Sequence, residues 1–309
     1  MKKITFILVI LWCLAGLTAC RPGNGDDFEP SQPFRDYWFN GQAEISRYSL
    51  QQVQYGTRNP GEAVLVFVTE DFLTDKQVKL ESEDNPGDAT TVLKLNSIRR
   101  FVTGIYDYSL YTSVFTPVNT DDFAHSLKVT MSAQDWCGQT YTQLNRRGTG
   151  YNVLGRSYFE RQGDVEGTIG EAWLEDEIWT FVRLSPELLP IGSTDVVPAA
   201  YAARLTGQAL EPLSAIGSMT DYTGPAFTGK ALAVYSLLYP DSSRELRIVF
   251  EKAFPHQIAG WEETYTSRGK VLTTRAVRTS LLRSDYWNHN APADTTLRNQ
   301  LGVTGFVPR

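Results

Sequence analysis

Few side chains in this chain are placed to do covalent or acid–base chemistry, so their spacing is the first thing to weigh. Cys137 sits in Asp135-Trp136-Cys137-Gly138-Gln139. A cysteine there would serve as a nucleophile if a histidine reached it, or as a redox centre if a second thiol stood three positions on. Position 140 is Thr140, so no local dithiol exists, and His125, His256 and His289 match no nucleophile–base spacing. They also form no His-x-His or His-Glu-x-x-His pattern, and no metal site is expected from them. The acids cluster at Glu175-Asp176-Glu177 and at Glu262-Glu263. The first set falls on what reads as the exposed face of a helix, and neighbours on a strand point to opposite faces, so neither set makes an acid/base pair. With no glycine-rich phosphate loop and no Gly-x-Ser-x-Gly elbow, no catalytic or cofactor-binding residues are predicted. Cys137 is read as a small buried side chain in or beside a strand, with a reactive thiol as the alternative.

The other informative cysteine is Cys20, at the end of Leu17-Thr18-Ala19-Cys20. Two lysines, Lys2 and Lys3, precede an apolar run from Ile4 to Leu17 that is short for a membrane span but suits the core of a secretory signal. The pattern resembles the bacterial lipoprotein signal, in which the thiol is acylated and the peptide is cut before the cysteine. That resemblance implies a signal peptide over 1–19 and lipidation at Cys20, whose acyl chains would hold the protein to a membrane. Residues 20–33, with three prolines and two glycines among acids, read as a flexible tether. By resemblance to lipoprotein sorting rules, Arg21 after the cysteine implies the outer membrane, on its periplasmic face or displayed at the surface. Cys13 leaves with the signal and Cys20 is acylated, so Cys137 has no disulfide partner.

The chain of 309 residues has a formal net charge of −6 and no basic run, which argues against nucleic acid and against a polybasic contact with anionic lipid. Its body, 34–287, is mainly β, with period-two patterns from Ala43 onward. One strand covers Ala43 to Tyr55 with a phase change at Gln51-Gln52, and a turn is expected at Arg58-Asn59-Pro60-Gly61. Ala63 to Val68 is apolar on both faces and reads as a buried strand. Further strands are expected at 76–80, 90–95, 98–106, 110–115, 127–132, 140–145, 151–159, 199–205, 230–239, 245–251, 257–266 and 270–281. Turns at Pro240-Asp241-Ser242-Ser243 and Ser267-Arg268-Gly269 make two clean hairpins.

One amphipathic helix is predicted over 168–185. Thr168 and Glu171 supply a capping box, Trp173, Leu174, Ile178, Phe181 and Val182 recur at helical spacing, and Pro186 stops the run. The expected architecture is a large curved antiparallel sheet or sheets, with this helix packed on the concave side. A short echo between Asp36-Tyr37-Trp38 and Asp285-Tyr286-Trp287 raises the option of two similar halves, 34–167 and 191–287, joined by the helix. Residues 288–309 read as a polar, loop-like tail.

Tyr37-Trp38-Phe39-Asn40-Gly41-Gln42-Ala43-Glu44-Ile45, the segment Gly61 to Phe72 with Lys76-Gln77-Val78-Lys79, and Trp136-Cys137-Gly138 resemble uncharacterised envelope lipoproteins of the Bacteroidota, often labelled septum formation inhibitors. The resemblance covers most of the chain after Cys20 and implies an envelope location, while carrying over no catalytic residues. The function expected is therefore non-enzymatic: binding of a lipid, another apolar ligand or an envelope partner, in a carrier-like groove bordered by Trp173, Ile178, Trp179 and Phe181. The alternative is an envelope hydrolase using Cys137 or an acid pair that only the fold assembles.

Overall fold

The computed structural model describes residues 29–82 and 88–303; the signal segment, Cys20 and most of the tether lie outside them. The chain enters through a short helix, α1 (Gln32–Trp38), so the last two residues assigned to the tether are helical. Pro33 tolerates this because the first helical turn has no partner for its missing N–H.

The body is one sixteen-stranded sheet. In chain order its strands are β1 (Ala43–Gln54), β2 (Thr57–Leu73), β3 (Val78–Lys79), β4 (Ala89–Thr103), β5 (Tyr106–Pro117), β6 (Lys128–Asp135), β7 (Gly138–Arg147), β8 (Gly150–Ser157) and β9 (Val165–Ile169). The series continues with β10 (Trp173–Leu174), β11 (Gly192–Val197), β12 (Leu213–Asp221), β13 (Leu232–Tyr239), β14 (Arg244–Glu251), β15 (Ile258–Ser267) and β16 (Lys270–Ser284). Side by side they run β10-β11-β12-β13-β14-β15-β16-β1-β2-β4-β5-β6-β7-β8-β9, with β3 paired to β2. The pairings are antiparallel except that of β10 with β11, which is parallel.

This order has a geometric consequence. The first and last strands are neighbours in the middle of the sheet, Ala43 facing Ser284. The two edge strands, β9 and β10, are consecutive in sequence, separated only by Gly170, Glu171 and Ala172. Laid flat, fifteen strands would hold those edges roughly 65 Å apart. Three connecting residues span at most about 14 Å. The sheet must therefore curl until its edges nearly meet, leaving an open seam between β9 and β10, across which no strand pairing forms.

Inside the curl lies α2 (Glu175–Leu184). Glu177 caps it, its Oε1 accepting the Leu174 N–H at 3.0 Å, and Pro186 ends it. The capping box expected at Thr168 and Glu171 does not form, because Val165, Gly167 and Ile169 obey strand periodicity and pair with β8 as β9. The strand expected over 199–205 is instead α3 (Ala200–Thr206), in keeping with its alanine content, and it stops at Gly207, whose φ of 74° suits a left-handed cap. The expected tail contains α4 (Thr295–Leu301), which sets Leu301 against Ala43, Ile45 and Val66 on the outside of the sheet.

The turn expected at Arg58 to Gly61 lies within β2. Tyr55 and Gly56 (φ 56° and 76°) make the tight hairpin turn, and Pro60 is accommodated because β4 begins pairing with β2 only at Gly61. Register shifts between β1 and β16 at Arg47/Tyr48, not at Gln51-Gln52. The strands expected at 90–95 and 98–106 are a single long strand, β4, and β11 and β12 join the sheet where no strand was expected.

Candidate binding cleft at the open seam

The helix fills the curl of the sheet instead of lining a groove. Ile178, Trp179 and Phe181 are buried and Trp173 is half-buried, all within one continuous apolar core. Trp179 meets Trp261 edge-on at 5.1 Å, Phe181 meets Trp173 at 5.0 Å, and Trp173 meets the His125 ring at 5.0 Å. The four residues expected to border a ligand groove thus spend their surfaces on one another and on the sheet.

The acids of the helix are the larger correction. Glu175, Asp176 and Glu177, expected on an exposed face, are all buried. Glu175 accepts both terminal nitrogens of Arg244 and the Tyr239 hydroxyl, the last at 2.7 Å. Glu177 accepts the Ser126 N–H at 2.7 Å and bonds His125 Nδ1 at 2.8 Å. Toward the other end of the helix, Arg183 makes a two-pronged pair with Glu44 at 2.6 and 2.7 Å, and Tyr37 donates to the same carboxylate. Burial alone would push Glu44 up, but Arg183's charge and hydrogen bonds outweigh it and hold the carboxyl below its ordinary range.

A third pair, Arg99 with Glu263 at 2.7 Å, is joined by the Tyr201 hydroxyl at 2.8 Å from Glu263, so α3 is held to the same interior. Each of these three buried arginines is therefore paired with a carboxylate that also accepts a tyrosine hydroxyl. Glu262, next to Glu263, faces the opposite side and pairs with Arg247 and Arg275, as strand alternation requires. Asp176 differs from its neighbours: its oxygen accepts the Ala200 N–H at 2.9 Å, no cation pairs with it among the described residues, and burial raises its pKa to about 7.

The space that the helix leaves unfilled is at the seam. A half-open cleft of about 420 Å³ lies between β7, β8 and β9 on one side and α3 with residues 207–210 on the other. Its apolar surface comes from Met131, Val153, Val165, Ile169 and Leu210. Three arginines border it, and no Asp or Glu does. Arg156 is paired to Glu166, and Arg204 to Asp135 at 3.3 Å, whereas Arg161 has no carboxylate partner among the described residues. Among the described residues the buried Thr140 hydroxyl and Arg204 Nε have no hydrogen-bond partner. The outer edge of β9 is likewise unpaired. A ligand with an apolar body and an acidic or acceptor head matches this set of groups.

Cys137 is exposed, in the β6–β7 turn, contrary to the buried position expected for it; Asp135 Oδ1 accepts the backbone N–H of both Cys137 and Gly138 and shapes that turn. The three histidines lie at the opposite end of the sheet, in or beyond the connections leading to β6, to β15 and out of β16, a strand length from the thiol. His125 is buried against Glu177. Among the described residues no group of three His, Cys, Asp or Glu side chains gathers to hold a metal ion.

Sequence reasoning missed Thr140, Arg156, Arg161 and Arg204, because the cleft arises only where the two ends of the sheet converge. One signal was present: the alternation Val165, Gly167, Ile169 marks β9, and with it the edge that borders the cleft.

No family model and no curated protein matches the chain. A comparison with solved structures pairs it with a β-barrel-like protein of a domain of unknown function, DUF1849, from Brucella abortus. The pairing has 7% identity and a TM-score of 0.46, covering 79% of this chain and 97% of that one.

Proposed function

We propose that the chain is a non-enzymatic lipoprotein of the outer membrane, carried on acyl chains at Cys20, whose β-body binds an amphipathic, lipid-class ligand in the seam cleft. The location rests on the charged start, short apolar core and small-residue exit before Cys20. Among the described residues no helix is long and apolar enough to cross a membrane. The binding reading is carried by one observation: an apolar cleft lined by three arginines and no acid, in which Arg161 has no carboxylate partner among the described residues. A guanidinium there suits a carboxylate or phosphate head, and the walls of Met131, Val153, Val165 and Leu210 suit an acyl chain.

Two experiments test it. Globomycin should cause a larger precursor to accumulate in expressing cells, and an unchanged product would remove the lipoprotein assignment. The purified full chain should bind cis-parinaric acid, a fluorescent fatty acid, and Arg161→Glu should weaken that binding about tenfold, equivalent to about 1.4 kcal/mol. Equal binding by parent and variant would remove the cleft as the site.

A further inference from the structure

The two rims of the curled sheet differ in what their hairpin tips expose. Successive turns on one rim are those of β1–β2, β4–β5, β6–β7 and β8–β9, since Gly61 faces Phe101, Ser109 faces Gln134 and Thr140 faces Ser157. The β15–β16 turn lies on the same rim, Arg268 being close to Gly56. Each of these turns carries a large apolar side chain in solvent. Ile105 is 80% exposed at the β4–β5 tip, Trp136 is 68% exposed at β6–β7, and Tyr158 is 73% exposed at β8–β9. Tyr55 and Val271 continue the row at β1–β2 and β15–β16. Consecutive tips on β4 to β9 are two strands apart, or about 10 Å, so the row is an arc of separate points and not one patch.

The opposite rim offers Asp75-Lys76, Asp121-Asp122 and Arg147-Gly148-Thr149 at its tips, and α1 joins the body on that side; its exposed apolar side chains, Phe39, Val78, Ile191 and Trp287, are set beside the connections and not in a row of hairpin tips. On the apolar rim, three cations stand around Tyr55 and Val271: Arg58, Arg268 and Lys270, none with a carboxylate partner among the described residues. The Arg268 guanidinium lies 4.8 Å from the centre of the Tyr55 ring. The acids of this rim include Asp107, which accepts the Trp136 indole N–H at 2.8 Å, Asp135, which is buried against Arg204, Asp164, which lies 3.8 Å from Arg156, the exposed Glu160 and Glu211, and Asp241 in the polar β13–β14 turn; none of them pairs with Arg58, Arg268 or Lys270.

From this arrangement we infer that the rim of Tyr55, Ile105, Trp136, Tyr158 and Val271 is a docking surface for the interface of an anionic lipid bilayer. Isolated aromatic and aliphatic tips are costly to leave in water and suit shallow insertion among headgroups, where indole and phenol rings place an apolar body and a polar edge together. The cations beside Tyr55 and Val271 complement an anionic headgroup layer. Rigid hairpins hold the points in place: the Tyr158 ring lies over Gly138, where a Cβ would come within 2.6 Å of it. The inference is separate from the cleft reading, although the β8–β9 turn that carries Tyr158 also supplies Arg161 and Gln162 to the cleft. Docking by this rim would bring the cleft's mouth to the lipid surface.

Tryptophan quenching by brominated lipid tests the contact on the full chain. Mixed with vesicles of phosphatidylethanolamine and brominated phosphatidylglycerol, the parent should lose part of its tryptophan emission. Trp136→Phe should abolish that loss, and Trp287→Phe, at the other end of the molecule, should preserve it. Ile105→Ser with Tyr158→Ser should also reduce quenching while leaving the thermal melt unchanged. No quenching in the parent, equal quenching in the Trp136→Phe variant, or quenching lost with Trp287→Phe would each overturn the inference. Fatty-acid binding measured in the same proteins reports on the cleft independently.

Discussion

The interior around α2 and the cleft at the seam are both arginines set among apolar walls, yet they are built to opposite ends. In the interior Arg99, Arg183 and Arg244 each pair with a carboxylate that also accepts a tyrosine hydroxyl, so the charges are paired before any ligand arrives, although Arg99 Nε itself has no partner among the described residues. At the seam, among the described residues, Arg161 has no carboxylate partner and the Thr140 hydroxyl and Arg204 Nε have no hydrogen-bond partner, Arg204 being paired to Asp135 through another nitrogen. Orphaned nitrogens occur in both regions, so the difference lies in charge pairing: an arginine paired with a buried carboxylate positions a helix, whereas one without a carboxylate beside an opening is free to meet a solvent-borne anion. The difference makes α2 part of the architecture and leaves the seam as the place where the proposed binding would occur.

The contrast can be broken most severely in the interior. Arg183→Ala should destabilise the fold by about 3–5 kcal/mol in a denaturant titration, because it strands the Glu44 carboxylate in the core. A loss below 1 kcal/mol, roughly the worth of an exposed pair, would mean that Glu44 is reached by water.

Asp176 gives a change of opposite sign. Burial lifts it to about 7 from an ordinary 3.8, so between those values the folded chain holds this proton more tightly than the unfolded one. Its contribution to stability is therefore full below about pH 4 and is lost as pH rises to about 7. Asp176→Asn keeps an acceptor for the Ala200 N–H. It should be more stable than the parent at pH 8, by up to about 4 kcal/mol, with the gap closing toward pH 4. Melting curves of both proteins across that range check the sign, and a pH-independent gap would contradict it.

One substitution made in both regions sharpens the comparison. Thr180 bonds Thr116 at 2.6 Å and the Glu177 carbonyl at 2.8 Å, so Thr180→Val should cost about 1–2 kcal/mol. Thr140→Val removes a hydroxyl with no partner and should be neutral or stabilising by up to about 1 kcal/mol, while weakening ligand binding if that hydroxyl meets the ligand head. Equal losses at the two sites would erase the distinction. Smallest of all, Arg161→Ala should stay within about 0.5 kcal/mol of the parent in stability. Native protein should also be alkylated at Cys137 without denaturant, in keeping with that thiol's exposure.

Much of the sheet was legible because strand signals are local. Ala63 to Val68 follows from a short, continuous, β-branched apolar run, and the hairpin at Pro240 to Ser243 and the turn at Arg268-Gly269 from period-two burial and turn chemistry. The failures share a cause. Thr168 and Glu171 fit a capping box equally well inside a strand, and α3 was read as a strand from seven residues whose alternation was weak. Glu175, Asp176 and Glu177 looked like a solvated helix face because consecutive acids usually are one. Their partners, Arg244, Ala200 and His125, come from distant parts of the chain.

The sequence by itself determined a mainly β body, most of its strands, one helix ending before Pro186, and an expectation of export and lipidation. These depend on neighbours a few residues apart. The tertiary structure alone decided that the sheet curls until β9 and β10 nearly meet, that α2 fills the curl through buried arginine–carboxylate–tyrosine groups, and that an arginine-bordered cleft opens at the seam. The physical reason is that strand order and charge pairing join residues tens to hundreds of positions apart. Arg183 and Glu44 are 139 apart in the chain and carry no mark of each other until the sheet closes around them.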